Sequence, residues 1–192
     1  RALEKIEQAF TKERVAAATS TAIPQEIRTI WQYLRLVEYL VFFKLHRSAQ
    51  RHWGVMFVAA GSFTAYRTSV LKAVGGFPVN TLTEDMELTW LLLLKNGGVA
   101  VGEDAMQYPL DPATLRTYER QVLRWRRGFL ECIGVFNFKL IRKPMLAFFA
   151  AWYSIWALLG LPIWVMIIVR GLPLTSALPT TEYAVVLVLI LA

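Results

Sequence analysis

Apolar residues along this chain alternate between helical and strand-like spacing. Leu3, Ile6 and Phe10 recur every three or four positions and predict a first helix over Ala2 to Phe10. Val15-Ala-Ala-Ala-Thr-Ser-Thr reads as a short buried strand leading into a loop. Pro24 suits the first turn of a second helix. From Ile27 onward, Ile30, Trp31, Leu34, Val37, Val41 and Leu45 form a helical stripe expected to pack on the core. The apolar, partly β-branched run Trp53 to Ala60 predicts a buried strand. Gly61 to Arg67 follows as a turn, and Ser69 to Val74 as a short helix closed by Gly75 and Gly76. Beyond a loop through Pro78 and Asn80, Thr83 fits a helix N-cap, with Glu84, Asp85 and Glu87 in the first turn. That helix passes Trp90 and Leu94 and stops at Gly97-Gly98. Val99-Ala-Val is a strand, and strands alternating with helices predict an α/β domain.

Between Pro112 and Phe136 the period is helical throughout. Leu115, Tyr118, Val122, Trp125, Phe129, Ile133 and Phe136 make one apolar face, while Arg116, Arg120 and Arg127 cluster on another. This is the build of a helix lying at a bilayer surface, apolar side down and arginines near phosphates. A surface helix of a water-soluble domain would share the pattern. Met145 to Val169 then runs for 25 residues without a charge, long enough to span a bilayer with some tilt. Residues 172–181, with Pro173 and Pro179, read as a short turn, and the apolar run from Tyr183 as the truncated start of a returning span. The chain accordingly divides into residues 1–111, 112–143 and 144–192, and it reads as a piece cut at both ends.

Charge sharpens this picture. The 192 residues carry a net charge of +7 and are 56% hydrophobic, with a mean hydropathy of +0.42. Residues 1–111 hold 12 basic and 11 acidic groups, residues 112–143 hold 8 and 2, and residues 144–192 hold one of each. The excess sits just before the longest apolar run. A cytoplasmic basic collar accounts for it better than a nucleic-acid surface does, which places residues 1–143 in the cytoplasm and sets nucleic acid aside as a partner. The single Cys132 allows no internal disulfide and reads as a packing residue. His46 and His52 have no metal-ligand spacing with any Cys or carboxylate.

Two constellations carry chemistry. Thr83-Glu84-Asp85 opens a helix after a loop, where a carboxylate is held firmly yet stays open to substrate. One such carboxylate can act as a general base. The helix dipole would lower the pKa of Asp85, whereas burial and Glu84 would raise it. Acids at a helix start are also ordinary capping. The second constellation is Gln121-Val-Leu-Arg124-Trp125. At 100° per residue, Gln121, Arg124, Trp125 and Gly128 fall within an arc of about 100°. Arg pairs with diphosphate oxygens, a Trp face stacks on a sugar ring, and Gln offers donor and acceptor to hydroxyls. The bare backbone at Gly128 would let a ligand approach closely. Membrane anchoring by Trp125 and Arg124 is the plainer alternative.

Together the two resemble a family. Thr-Glu-Asp, followed 36 residues after its Asp by Gln-x-x-Arg-Trp on a helix ahead of an apolar span, is similar to the processive family-2 glycosyltransferases. These include the poly-N-acetylglucosamine, cellulose, hyaluronan and chitin synthases. The stretches Gly61-Ser-Phe-Thr-Ala-Tyr-Arg67, Val74-Gly-Gly-Phe77 and Thr83 to Trp90 look closest to poly-N-acetylglucosamine synthases. The resemblance covers about residues 1–143.

It implies that residues 1–111 are the C-terminal part of a cytoplasmic GT-A catalytic domain, on an inner membrane crossed several times. It also implies a UDP-sugar donor, a growing glycan acceptor, contact with the lipid bilayer and room for an accessory membrane subunit. Asp85 becomes the base of an inverting transfer, with Glu84 supporting it and with Glu84 and Thr83 among the substrate-binding residues. Gln121, Arg124 and Trp125 serve the acceptor sugar and donor diphosphate, Gly61, Ser62, Phe63 and Thr64 line the acceptor pocket, and Trp90 packs beneath the site. The family's Mg2+ or Mn2+ is held by an Asp-x-Asp, which this chain lacks. The metal ligands are therefore expected outside it, and the chain alone is expected to be inactive. Polymerisation of N-acetylglucosamine, single transfer to a lipid acceptor, and a non-enzymatic membrane scaffold all stay open at this point.

Overall fold

The segment Val15–Ala22 is built almost wholly from small residues, and this dictates the centre of the fold. In the computed structural model, which describes residues 2–10, 14–95 and 97–155, it forms β1, the middle strand of a three-stranded sheet. β2 (Thr64–Tyr66) pairs with it antiparallel, and β3 (Gly98–Gln107) pairs parallel, with irregularities in register near Ala17 and Thr21. Ala17 and Ala18 are completely buried. Their short side chains let helices approach both faces of the sheet. α1 (Ala2–Gln8) brings Ile6 against Ala18 and Ala105 on one face. On the other, α5 (Glu84–Leu94) brings Leu88 and Leu92 against Ala16 and Ala17, beside α4 (Thr68–Ala73). The expected α/β class is what the structure has. The stretch Gly61 to Arg67, expected as a turn, includes strand β2.

The second helix departs from expectation in two ways. α2 (Ile30–Leu40) begins six residues after Pro24, because Thr29 and Gln32 form a reciprocal capping box there. It continues through a π-helical turn, Val41–His46, into α3 (Arg47–His52). The apolar stripe is only partly the buried side: Val41 is buried and Ile30 is 60% exposed, whereas Gln32 and Arg35, off the stripe, are buried. Arg47 and Gln50 are buried further along, so this helical stretch turns polar side chains inward.

Those polar side chains explain a second departure. Trp53 to Ala60 forms no strand. Met56, Phe57 and Ala59 are buried as a strand's residues would be, but their backbone groups bond to side chains instead of a neighbouring strand. Phe57 N–H donates to Gln50 Oε1 at 2.8 Å, Ala59 N–H to Thr89 Oγ1 at 3.0 Å, and Trp90 Nε1 donates to the Phe57 carbonyl at 2.9 Å. Buried backbone groups must find partners, and here α3 and α5 supply them.

α6 (Leu115–Phe136) starts at Thr114, whose hydroxyl accepts from Thr117 N–H. It ends at Asn137, the one described non-glycine residue with positive φ (44°), where the chain turns into the short 3-10 helix Asn137–Arg142. The apolar face of α6 is largely claimed by protein. Phe129, Cys132 and Phe136 join Phe57, Trp90, Leu146 and Phe149 in one core. A last helix occupies residues 144–155. Among the described residues, no helix is long and apolar enough to cross a membrane. Residues 156–169 of the expected span, the turn at 172–181 and the returning run from 183 lie outside the described residues.

Candidate active site

Asp85 occupies the first turn of α5, and its carboxylate is bound on both oxygens. Gly61 N–H donates to Oδ2 at 2.8 Å and Met86 N–H to Oδ1 at 2.8 Å. Gly61 suits this contact, since a Cβ there would stand 3.2 Å from Asp85 Cβ and Oδ2. Thr89, one turn on, anchors the same turn by donating to the Asp85 carbonyl at 2.7 Å. Burial raises the pKa of Asp85 above the ordinary carboxylate value. The bonds from Gly61 and Met86 pull it back, Glu84 pushes it up, and Arg124 pulls it down. Burial therefore outweighs the helix start.

Arg124 reaches the field of Asp85 because α6 packs directly on the start of α5. A Cβ on Gly128 would lie 2.5 Å from Thr83 Oγ1 and Cγ2, so the bare backbone seats Thr83 and not a ligand. This corrects the expectation for Gly128. Thr83 precedes α5 as expected but makes no side-chain capping bond; its hydroxyl lies 3.7 Å from Cys132 Sγ. Arg127 pairs with Glu131 at 2.9 Å, and Glu131 accepts from Leu82 N–H at 2.8 Å. Glu131 thus ties α6 to the loop before α5, with the exposed Arg127 paired to it along the same helix.

The other flank of α6 meets α2. Gln121 Oε1 accepts from Arg35 Nη2 at 2.8 Å, and the Arg35 guanidinium sits 4.6 Å from the Trp125 ring centroid. Angular order around α6 accounts for the division. Trp125 and Gln121 lie on one side of Gly128 and Arg124 on the other, so the first pair faces α2 while Arg124 lies toward the start of α5.

The remaining expected residues separate. Gly61 and Ser62 are exposed beside Asp85, and Glu84 is exposed next to it. Phe63 packs toward the Ile6–Ala18 cluster, and its carbonyl accepts from Ser20 N–H and Oγ. The Thr64 hydroxyl is engaged by the Ala60 carbonyl at 2.6 Å and by Thr19 Oγ1 at 2.9 Å. Phe63 and Thr64 therefore support the turn from below, and Gly61 and Ser62 are its open part. Trp90 lies fully buried under Phe57 and Phe129. The sequence did not single out Arg35, which bonds Gln121, or Glu38 and Asp111, which flank Arg35 from α2 and from the turn before α6. An Arg beside an apolar stripe was the available signal. A hollow of about 460 Å³ lined by Ala16, Val70, Val74 and Leu92 lies against the other end of α5, away from Asp85.

A family model described as "Glycosyl transferase family group 2" matches residues 1–192. The chain belongs to that family. Among curated proteins, it is similar to the poly-beta-1,6-N-acetyl-D-glucosamine synthase of Staphylococcus epidermidis, 25% identical over 123 residues. That alignment covers 64% of this chain and 30% of the relative. The synthase of Staphylococcus aureus strain COL is 25% identical over 115 residues, covering 60% and 28%. The chain thus spans under a third of the relatives it matches. The divalent cation implied by the resemblance does not fit the residues in view: among those described, no three His, Cys, Asp or Glu side chains gather as a ligand set.

Proposed function

We propose that this chain forms the acceptor side of an inverting, membrane-bound glycosyltransferase site that polymerises N-acetylglucosamine from a UDP-sugar. The observation that carries the reading is the junction of α5 and α6. A carboxylate fixed by two backbone N–H groups lies in the field of Arg124, beside the open Gly61-Ser62 turn. In this reading Asp85 accepts the proton of the acceptor hydroxyl as that oxygen bonds to the anomeric carbon and the bond to the diphosphate breaks. A raised pKa makes it a stronger base than an ordinary carboxylate. Arg124 faces the departing diphosphate, and the free face of Trp125 holds a sugar ring. The cation would be held by ligands outside this chain.

Bilayer contact is supported by the exposed Leu123, Leu130, Phe138, Ile141, Phe148 and Ile155, with Lys139 and Arg142 among them. In this reading the catalytic part faces the cytoplasm from an inner membrane, with an accessory membrane subunit as a further partner. Identity of the sugar rests on the synthases to which the chain is similar.

The test is incorporation by the full-length protein in its membranes, offered UDP-N-acetylglucosamine, UDP-glucose and UDP-glucuronic acid in turn. Asp85→Asn is expected to lower turnover by about 10²- to 10⁴-fold with donor binding retained, and the 192-residue chain alone to incorporate nothing. Undiminished transfer by Asp85→Asn would end the reading. Product length separates polymerisation from single transfer to a lipid.

A further inference from the structure

Arg35 is a buried charge whose two terminal nitrogens are both partnered, and it lies on none of the motifs. Its side chain is 1% exposed. One nitrogen donates to Gln121 Oε1 at 2.8 Å, another pairs with Glu38, and Nε stands 3.8 Å from Asp111 Oδ1. The guanidinium carbon lies 4.6 Å from the Trp125 ring centroid and 4.7 Å from that of Tyr118. The Tyr118 hydroxyl donates in turn to Glu38, and that of Tyr39 to Asp111 at 2.9 Å. Burying a charge is costly, and an apolar residue of similar volume often serves stability as well or better. A buried Arg with this many directional partners gives one thing a Leu cannot: a fixed orientation for the groups it touches.

We propose that Arg35 is a positioning residue for glycosyl transfer, holding Gln121 and Trp125 in their working orientation; the inference rests on the function proposed above. The chemistry is specific. A guanidinium only donates, so the end of the Gln121 amide against it is the carbonyl. The amide nitrogen is then the end left for substrate, and Gln121 acts as a donor to a sugar hydroxyl oxygen. Arg35 also covers one face of the Trp125 indole, which leaves the opposite face for stacking. Glu38 and Asp111 balance the charge so that it can stay buried.

A double-mutant cycle in the full-length membrane enzyme tests this, with turnover normalised to folded protein. Arg35→Lys keeps the charge but loses the planar fork. It is expected to lower turnover about tenfold, as small misplacements of positioning groups do. In Arg35→Lys combined with Gln121→Ala, the loss falls clearly short of the product of the two single losses, because Arg35 acts in part through Gln121. Gln121→Glu still accepts from Arg35 but has no proton to give, and is expected to lose as much turnover as Gln121→Ala. Losses that multiply in the double variant, full turnover in Arg35→Lys, or an active Gln121→Glu would each overturn the proposal. Should Arg35→Lys fail to accumulate, the same cycle is run in a Glu38→Gln background, which removes the charge left under-paired. Asp85→Asn in the same assay keeps the two readings apart. If it is inactive while the cycle is additive, only the role of Arg35 falls; if it is active, the transfer site itself falls.

Discussion

At the scale of single residues, the surroundings of Asp85 make a titration statement. Burial and the Glu84 charge raise its pKa, while Gly61, Met86 and Arg124 pull against them. A base must be ionised to work, so transfer declines on acidification through that pKa, at a pH above the ordinary carboxylate value of about 4. Glu84→Gln removes a neighbouring negative charge, which makes ionisation of Asp85 easier. The acid limb of the rate profile is expected to move to lower pH, and an unmoved or raised limb would contradict the placement. Gly128 makes a steric statement. Any Cβ there meets Thr83 Cβ at 2.9 Å, which a side-chain rotation cannot relieve. Gly128→Ala is therefore expected to destabilise by about 1–3 kcal/mol, read as a drop in melting temperature. Adding Thr83→Ala, which deletes the two nearest atoms, recovers part of that loss.

At the scale of elements, the stretch Val55 to Ala60 shows where periodicity stops being informative. A run of buried apolar residues satisfies the pattern of a strand, but the pattern does not say who accepts its hydrogen bonds. Gln50 and Thr89 take that place, and both look unremarkable in a helical sequence. Thr89→Val keeps the shape and leaves the Ala59 N–H unsatisfied in a fully buried position. A loss of about 1–3 kcal/mol is expected, with Thr89→Ser retaining most of the stability in thermal melts. α2 teaches the same lesson from the opposite side. Its apolar stripe predicted the helix itself, since spacing alone defines it. It missed the polar part of the buried face, because Gln32 and Arg35 are buried with partners distant in sequence, Asp111 and Gln121. The capping box at Thr29 and Gln32 was legible and would have placed the start better than Pro24.

At the scale of the whole molecule, the order of strands and helices could be read from spacing because each element is local. β1, α4, α5 and α6 lie close to where the pattern put them. The junction of α5 and α6 was legible only through two short motifs, and the reason they meet, a glycine seating a threonine, was not. The contribution of α2 to the site was invisible for the same reason: it depends on a contact across 86 positions. The parts nearest the chemistry are thus the parts that composition and period describe least.

Helix α6 is wedged, leaning on Arg35 along one flank and on Thr83 along the other. Recutting the specificity of this protein by grafting residues 115–136 from a relative would carry over the letters of a motif and leave behind both of its sockets. Any useful exchange has to move three separated stretches of chain as one unit.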